Sequence, residues 1–216
     1  INSIGIVNLE DPSFVDFINA TNHHVYGFTS LGKAGKAAVE NSAQISLPEI
    51  PTNTHVMTAT DIVSASDGIS FNISAMDKDS HFTDESEQTS FSVNAKLPGA
   101  FNAYNLMASI IAVSSVTDLS FEQVAAQVPN VLPIKGRMAV INEGQDFEVI
   151  VDYAHTPSSF ETIFPPLRKR YQGKMIAVFG SGGERDLTKR PLQGQIAAQY
   201  CDTVILADED PRGENP

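Results

Sequence analysis

Three short apolar runs constrain this chain most: V-I-V-D-Y-A-H-T-P from Val149, M-I-A-V-F-G-S-G-G-E-R-D from Met175 and V-I-L-A-D-E-D-P-R from Val204. Each is β-branched and apolar and then breaks into polar or glycine-rich sequence. The segments between them read as helices. Thr156-Pro157 is an N-cap followed by proline at the first helical position. Phe160, Ile163, Phe164, Leu167 and Tyr171 recur at helical spacing, as do Leu192, Ile196, Ala197 and Tyr200. Strand, helix, strand, helix, strand predicts a parallel α/β sheet, with its ligand beyond the carboxyl ends of the strands. Asp152, His155, Gly180 to Arg185 and Asp208 to Arg212 all fall at those ends. Pro165 and Pro166 predict a kink or break in the first of the two helices.

The earlier part is also α/β. Ile4 to Leu9 reads as a strand, Asp11-Pro12 as a helix start with Asp11 at the N-cap, and Val25 to Phe28 as a second strand. Residues 54–95 read as an antiparallel meander beside the parallel sheet, with Asp67-Gly68 as a hairpin turn and Asp77 to Gln88 as an acidic loop. Leu97-Pro98-Gly99 then introduces a helix whose first turns carry Asn102 and Asn105 on one face. Two readings stand there: one asparagine caps the helix, or the pair aims its amides at a ligand. Ser120 and Gln123 form a capping-box pattern for the next helix, which ends before Pro129. The glycine-lysine run Gly32 to Ala37 fails as a phosphate loop. Ser30 stands where G-x-x-x-x-G-K-[ST] needs its first glycine, and Ala37 stands where it needs a hydroxyl.

Charge separates the chain near residue 135. Residues 1–134 hold 4 Lys and Arg against 14 Asp and Glu, whereas residues 135–216 hold 10 against 12. The overall net charge of -12 argues against a duplex nucleic-acid binder, which needs a basic face. Half of the basic residues lie between Arg168 and Arg190, partly in the glycine-rich loop, which favours an anionic small molecule. The single cysteine, Cys201, allows no internal disulfide, suits a reducing compartment and reads as a small core residue. No apolar run approaches the roughly 20 residues of a membrane-spanning helix, and no basic-then-apolar leader opens the chain. The incomplete sheet predicts that the chain is a piece of something longer.

Five stretches in order, L-P-G-A-F-N-A-Y-N, G-R-M, V-D-Y-A-H-T-P, F-G-S-G-G-E-R-D-L-T-K-R-P-L and D-E-D-P-R, resemble the Mur ligase family. The resemblance is closest to the type that adds a diamino acid to UDP-N-acetylmuramoyl-L-alanyl-D-glutamate, the UDP-MurNAc-dipeptide. It implies that residues 1–135 are the later part of a P-loop-type central ATPase domain, with its antiparallel strands. Residues 136–216 would be the first part of a Rossmann-like C-terminal domain. It implies an ATP-dependent ligase of cell-wall synthesis, cytoplasmic and monomeric, that activates the dipeptide's carboxylate as an acyl phosphate. ATP and Mg2+ are the implied cofactors, with the Mg2+ ligands and the phosphate loop mostly outside this chain, so that no catalytic or metal-holding residue is assigned here and the isolated chain is expected to be inactive.

Residue by residue, the resemblance places Asn105 against adenine with Asn102 beside it, Arg137 as the linker arginine that reaches the nucleotide, and Asp152 on the ribose hydroxyls. His155 then lies next to the nucleotide pocket. Arg185 resembles an arginine that holds a carboxylate of the incoming amino acid. Arg212 resembles the arginine of the family's D-N-P-R motif, which takes the distal carboxylate of meso-diaminopimelate. Asp210 departs from that motif. A carboxylate there can pair with an ammonium, which leaves room for L-lysine or ornithine. Two other readings are a non-catalytic nucleotide- or amino-acid-binding α/β module and a folylpolyglutamate synthetase-like ligase.

Overall fold

The structure, a computed structural model, describes residues 3–30, 54–76 and 89–215. The rejected phosphate loop at Gly32 to Ala37 and the acidic stretch Asp77 to Gln88 lie outside the described residues. The chain divides into two compact units, Ile1–Ile134 and Lys135–Pro216.

The first unit is built on one mixed sheet of β1 (Ile4–Asn8), β2 (His24–Thr29), β3 (Thr54–Ser64), β4 (Ile69–Met76) and β5 (Thr89–Ala95), in that spatial order. The β1-β2 and β2-β3 pairings are parallel, and β3-β4 and β4-β5 are antiparallel. The meander is therefore continuous with the parallel part, because β3 serves both. Alternation directs Ile69, Phe71 and Ile73 of β4 and Phe91 and Val93 of β5 to one buried face. Helix α2 (Asn102–Val116) covers that face with Ala103, Leu106, Met107, Ile110 and Ile111. A smaller core gathers Leu9, Val25 and two residues of α1 (Phe14–Asn19), Phe14 and Ile18.

Helix α1 starts later than Asp11-Pro12 implies. Ser13 is at its N-cap position, while the Asp11 carboxylate accepts from Ser13 N at 2.8 Å and closes a turn ahead of the helix. Helix α3 (Phe121–Ala125) has the expected capping box between Ser120 and Gln123, and a 3-10 turn follows at Val128–Asn130.

In the second unit, β6 (Ala139–Ile141) pairs antiparallel with β7 (Val149–Val151). Strand β8 (Ile176–Phe179) pairs in parallel with β9 (Thr203–Leu206). The three apolar runs thus do not form one hydrogen-bonded sheet among the described residues: β7 pairs with β6, and β8 with β9. Helices α4 (Pro157–Arg170) and α5 (Lys189–Tyr200) pack Phe160, Phe164 and Ala197 against Ala177 of β8.

Helix α4 also runs unbroken through Pro165 and Pro166. Its ends are tied down on both sides of the prolines. Thr156 and Ser159 form a capping box at the start. At the far end Arg168 donates to the carbonyls of Tyr171 and Gly173 and, at 2.9 Å, to Asp202. With Phe160 and Phe164 buried between these anchors, tertiary packing outweighs the lost backbone donors. No helix among the described residues is long and apolar enough to cross a membrane.

Candidate functional site

The strand end after β7 is a small edge of mixed charge. Asp152 is half-buried and uses both oxygens locally: Oδ2 accepts from Met138 N and Oδ1 from Ala154 N, each at 2.8 Å. The first bond ties the start of β6 to the end of β7 across a residue with φ of +49°, a left-handed conformation that costs energy for a non-glycine. Each carboxylate oxygen keeps a second lone pair for a hydroxyl donor. The next residue, Tyr153, is exposed, and the Arg137 guanidinium lies over its ring at 4.8 Å from the centroid. The His155 ring meets the same ring edge-on at 5.1 Å, and its Nδ1 lies 3.1 Å from the Tyr153 carbonyl oxygen. That carbonyl can only accept, so this contact is a hydrogen bond in the tautomer with the proton on Nδ1. Lys189, opening α5, donates from Nζ to the His155 carbonyl at 3.1 Å. Arg137, Asp152 and His155 are therefore brought together, and Tyr153 and Lys189 join them unforeseen.

The glycine-rich loop after β8 and the D-E-D-P-R stretch after β9 lie backbone against backbone. Gly183 N donates to Asp210 O at 3.0 Å. A Cβ added at Gly183 would overlap the Pro211 carbonyl, and one at Gly180 would stand 2.8 Å from Glu209 Cβ. At these two positions the chain's own neighbouring segment leaves no room for a side chain; Gly182, with nothing nearer than 3.9 Å, keeps open space. Three residues of the paired loops have positive φ: Glu184 (+53°), Asp210 (+41°) and Arg212 (+53°). Such strain clusters at ligand sites.

Arg212 Nε lies 3.2 Å from Asp210 Oδ2, so the carboxylate that could meet an ammonium already faces its own arginine. Arg185 is exposed and has no polar partner among the described residues. Much of the basic cluster is internally neutralised: Arg168 with Asp202 at 2.9 Å, Arg170 with Glu148 at 3.3 Å and Arg190 with Glu214 at 2.7 Å. Glu214 also accepts from Glu184 N, and that bond, then Arg190, holds its carboxyl below the usual range. The cluster therefore supplies fewer free cations than its sequence density implies. Cys201 ends α5 half-buried, and burial pushes its thiol up, as befits a packing residue.

In the first unit, neither asparagine serves as the N-cap of α2; Phe101 occupies that position. Asn102 is buried and donates from Nδ2 to Pro98 O at 2.8 Å, while its Oδ1 accepts from Asn105 Nδ2 at 3.0 Å. Asn105 is exposed, with its Oδ1 left as the acceptor. One asparagine braces, and the other is presented.

Glu10 is a cluster centre that local patterns do not reveal. At the carboxyl end of β1 its Oε1 accepts from Thr29 Oγ1 (2.9 Å), Ser30 N (2.6 Å) and Ser30 Oγ (3.0 Å), and its Oε2 accepts from the Tyr104 hydroxyl (2.8 Å). Burial pushes its carboxyl up, but the bonds from Ser30 N, Tyr104, Thr29 and Ser30 Oγ outweigh it and hold the group below its ordinary value. A depressed folded-state pKa gives stability that is present above the unfolded value, about 4.3, and lost as pH falls through the folded one. Thermal midpoints of the wild type are thus expected to fall below pH 4 more steeply than those of Glu10→Gln. Parallel curves would contradict this role.

Residues 136–216 match the family described as "Mur ligase, glutamate ligase domain", and over its length the chain matches a fragment of a Mur ligase. A UDP-N-acetylmuramyl-tripeptide synthetase of Treponema denticola is 46% identical over 214 residues, which are 98% of this chain and 36% of that protein. The solved structure of a UDP-N-acetylmuramoyl-L-alanyl-D-glutamate--2,6-diaminopimelate ligase is 29% identical with a TM-score of 0.50, over 99% of this chain and 38% of that one. A crystal structure of MurF from Acinetobacter baumannii shares the fold, with a TM-score of 0.66 at 18% identity over 97% of this chain and 39% of the other. The chain thus spans little more than a third of the length of curated relatives that it matches along nearly its whole length. Among the described residues, no group of three or more His, Cys, Asp or Glu is placed to hold a metal ion.

Proposed function

We propose that the protein to which this chain belongs is an ATP-dependent amide-bond ligase of peptidoglycan synthesis. It adds a diamino acid to UDP-N-acetylmuramoyl-L-alanyl-D-glutamate in the cytoplasm, as a monomer. The observation that carries this is the 46% identity with a tripeptide synthetase over nearly the whole chain. In this reading residues 1–135 belong to the central ATPase domain and 136–216 to the C-terminal domain. Taken singly, the donors suit parts of ATP: in the second unit Asp152 has spare acceptor lone pairs for ribose hydroxyls, Arg137 a positive charge for phosphates and His155 an N–H donor, and in the first unit Asn105 presents an amide oxygen suited to an exocyclic amine. ATP would provide the phosphoryl group that activates the dipeptide's carboxylate as an acyl phosphate for attack by the amine. Mg2+ would be held mainly by residues beyond this chain. The residues here bind and orient; none need be a nucleophile.

At the amino-acid end, the free Arg185 is suited to a carboxylate in bidentate geometry. Arg212, half-neutralised by Asp210, is a weaker receptor for a second carboxylate, so L-lysine and ornithine stand beside meso-diaminopimelate as substrates. The test is amino-acid-dependent phosphate release by the full-length protein given ATP, Mg2+ and the UDP-MurNAc-dipeptide. Release without any dependence on dipeptide or diamino acid would sink the ligase reading. The 216-residue chain alone, which contains no G-x-x-x-x-G-K-[ST], is expected to release none. Asp210→Asn removes an exposed ion pair and frees Arg212. It should shift kcat/KM about two- to fivefold toward meso-diaminopimelate relative to lysine. An unmoved ratio would show that position 210 does not act on substrate choice.

A further inference from the structure

We infer that Tyr153 is a positioning residue for the nucleotide, acting through Arg137. This rests on the reading of Arg137 as a nucleotide contact. An exposed arginine side chain has many rotamers, and ordering it when ligand binds costs affinity. Tyr153 reduces that cost: its ring holds the Arg137 guanidinium at 4.8 Å from the centroid, within cation–π range. The neighbouring His155 is tied to the Tyr153 backbone, its Nδ1 3.1 Å from the carbonyl oxygen, a contact that a side-chain substitution at 153 leaves in place. The ring thus holds the guanidinium at the residue next to Asp152.

The placement of Tyr153 favours this over a packing role. The side chain is 63% exposed, so it adds little to the core, and no hydrogen bond of its hydroxyl is seen among the described residues. The backbone beneath is fixed independently: Asp152 accepts from Met138 N and Ala154 N, the residues that directly follow Arg137 and Tyr153. The groups that face the ring are Arg137 on its face and His155 at its edge, with Lys189 reaching the His155 carbonyl behind it.

The test uses the full-length enzyme with four variants: Arg137→Ala, Tyr153→Phe, Tyr153→Leu and the double variant Arg137→Ala/Tyr153→Leu. Tyr153→Leu keeps an apolar side chain and loses the ring quadrupole. It should raise KM for ATP about two- to fivefold at constant kcat and constant KM for the diamino acid. Tyr153→Phe keeps ring and carbonyl and should hold KM for ATP within about twofold of the wild type. In the Arg137→Ala background, Tyr153→Leu should add no further rise, because its action passes through the missing guanidinium. If Arg137→Ala raises KM and Tyr153→Leu does not, or if the two effects multiply in the double variant, the positioning role is overturned while the reading of Arg137 stands. If Arg137→Ala leaves KM for ATP unchanged, or the wild type shows no ATP-dependent turnover, that reading fails and takes this inference with it. An equal loss in Tyr153→Leu and Tyr153→Phe would point to the hydroxyl and also overturn it.

Discussion

Gly183→Ala is expected to cost the full-length protein at least a hundredfold in activity and to lower the thermal midpoint of its C-terminal domain. The added methyl group would meet main chain, not a flexible side chain: it overlaps the Pro211 carbonyl and lies 2.6 Å from its carbon. Relief requires the glycine-rich loop and the D-E-D-P-R loop to separate, which breaks the 3.0 Å bond from Gly183 N to Asp210 O. Overpacking of this kind costs about 1–3 kcal/mol. The catalytic loss is expected to exceed the stability loss, because the displaced loops carry Arg185 and Arg212, and small misplacements of positioning groups are expensive in rate. Gly182→Ala is the control. Its Cβ would meet only Glu209 O at 3.9 Å and Arg185 Cγ at 4.0 Å, and it should fold as the wild type does. Equal midpoints and activities for both variants would refute the backbone-contact account.

Asp152→Ala is the second large effect. The substitution leaves Met138 N and Ala154 N without their acceptor. Met138 is buried and holds a φ of +49°, and its N–H is spent on this carboxylate. Hydrogen bonds to charged groups contribute about 1.5–3 kcal/mol each, and for this half-exposed carboxylate the two bonds should lie at the low end, about 3 kcal/mol in all. Calorimetry of the full-length protein should show the loss confined to one domain. If Asp152 also receives the ribose, KM for ATP should rise at least tenfold. Asp152→Asn separates the roles. Its amide keeps one acceptor oxygen, so part of the stability should return, while a ribose site needing two acceptors stays impaired. Full recovery of nucleotide affinity in Asp152→Asn would remove the ribose role and leave the structural one.

How far the sequence could be read varies from residue to residue, and the reason is the range of the interactions. Thr156-Pro157 starts α4 and the Ser120–Gln123 box starts α3 as the sequence predicts, because a cap is made with a residue three positions on. The alternation in β4 and β5 is equally local. Arg137, Asp152 and His155 were found as a group by resemblance to a family, and the structure shows the hairpin that gathers them. Tyr153 carries no such pattern in the sequence; its exposure and its place under the Arg137 guanidinium belong to the tertiary structure. The D-E-D-P-R departure at Asp210 was visible, but its ion pair with Arg212 was not, since both residues adopt left-handed backbone conformations that sequence does not announce.

By itself the sequence determined the order and type of the elements, the apolar faces of the strands and helices, and the motifs at the strand ends, all of which depend on neighbours within a turn or a strand. Tertiary structure alone decided the rest. It decided that β7 pairs with β6 rather than continuing the parallel sheet, and that α4 runs on through two prolines between its anchors. It set Glu10 against Ser30, 20 positions away, and Tyr104, 94 positions away. It also decided that Gly180 and Gly183 make room for the chain's own backbone. Each of these is a contact between segments distant in sequence, and contacts of that kind form only when the chain has closed on itself.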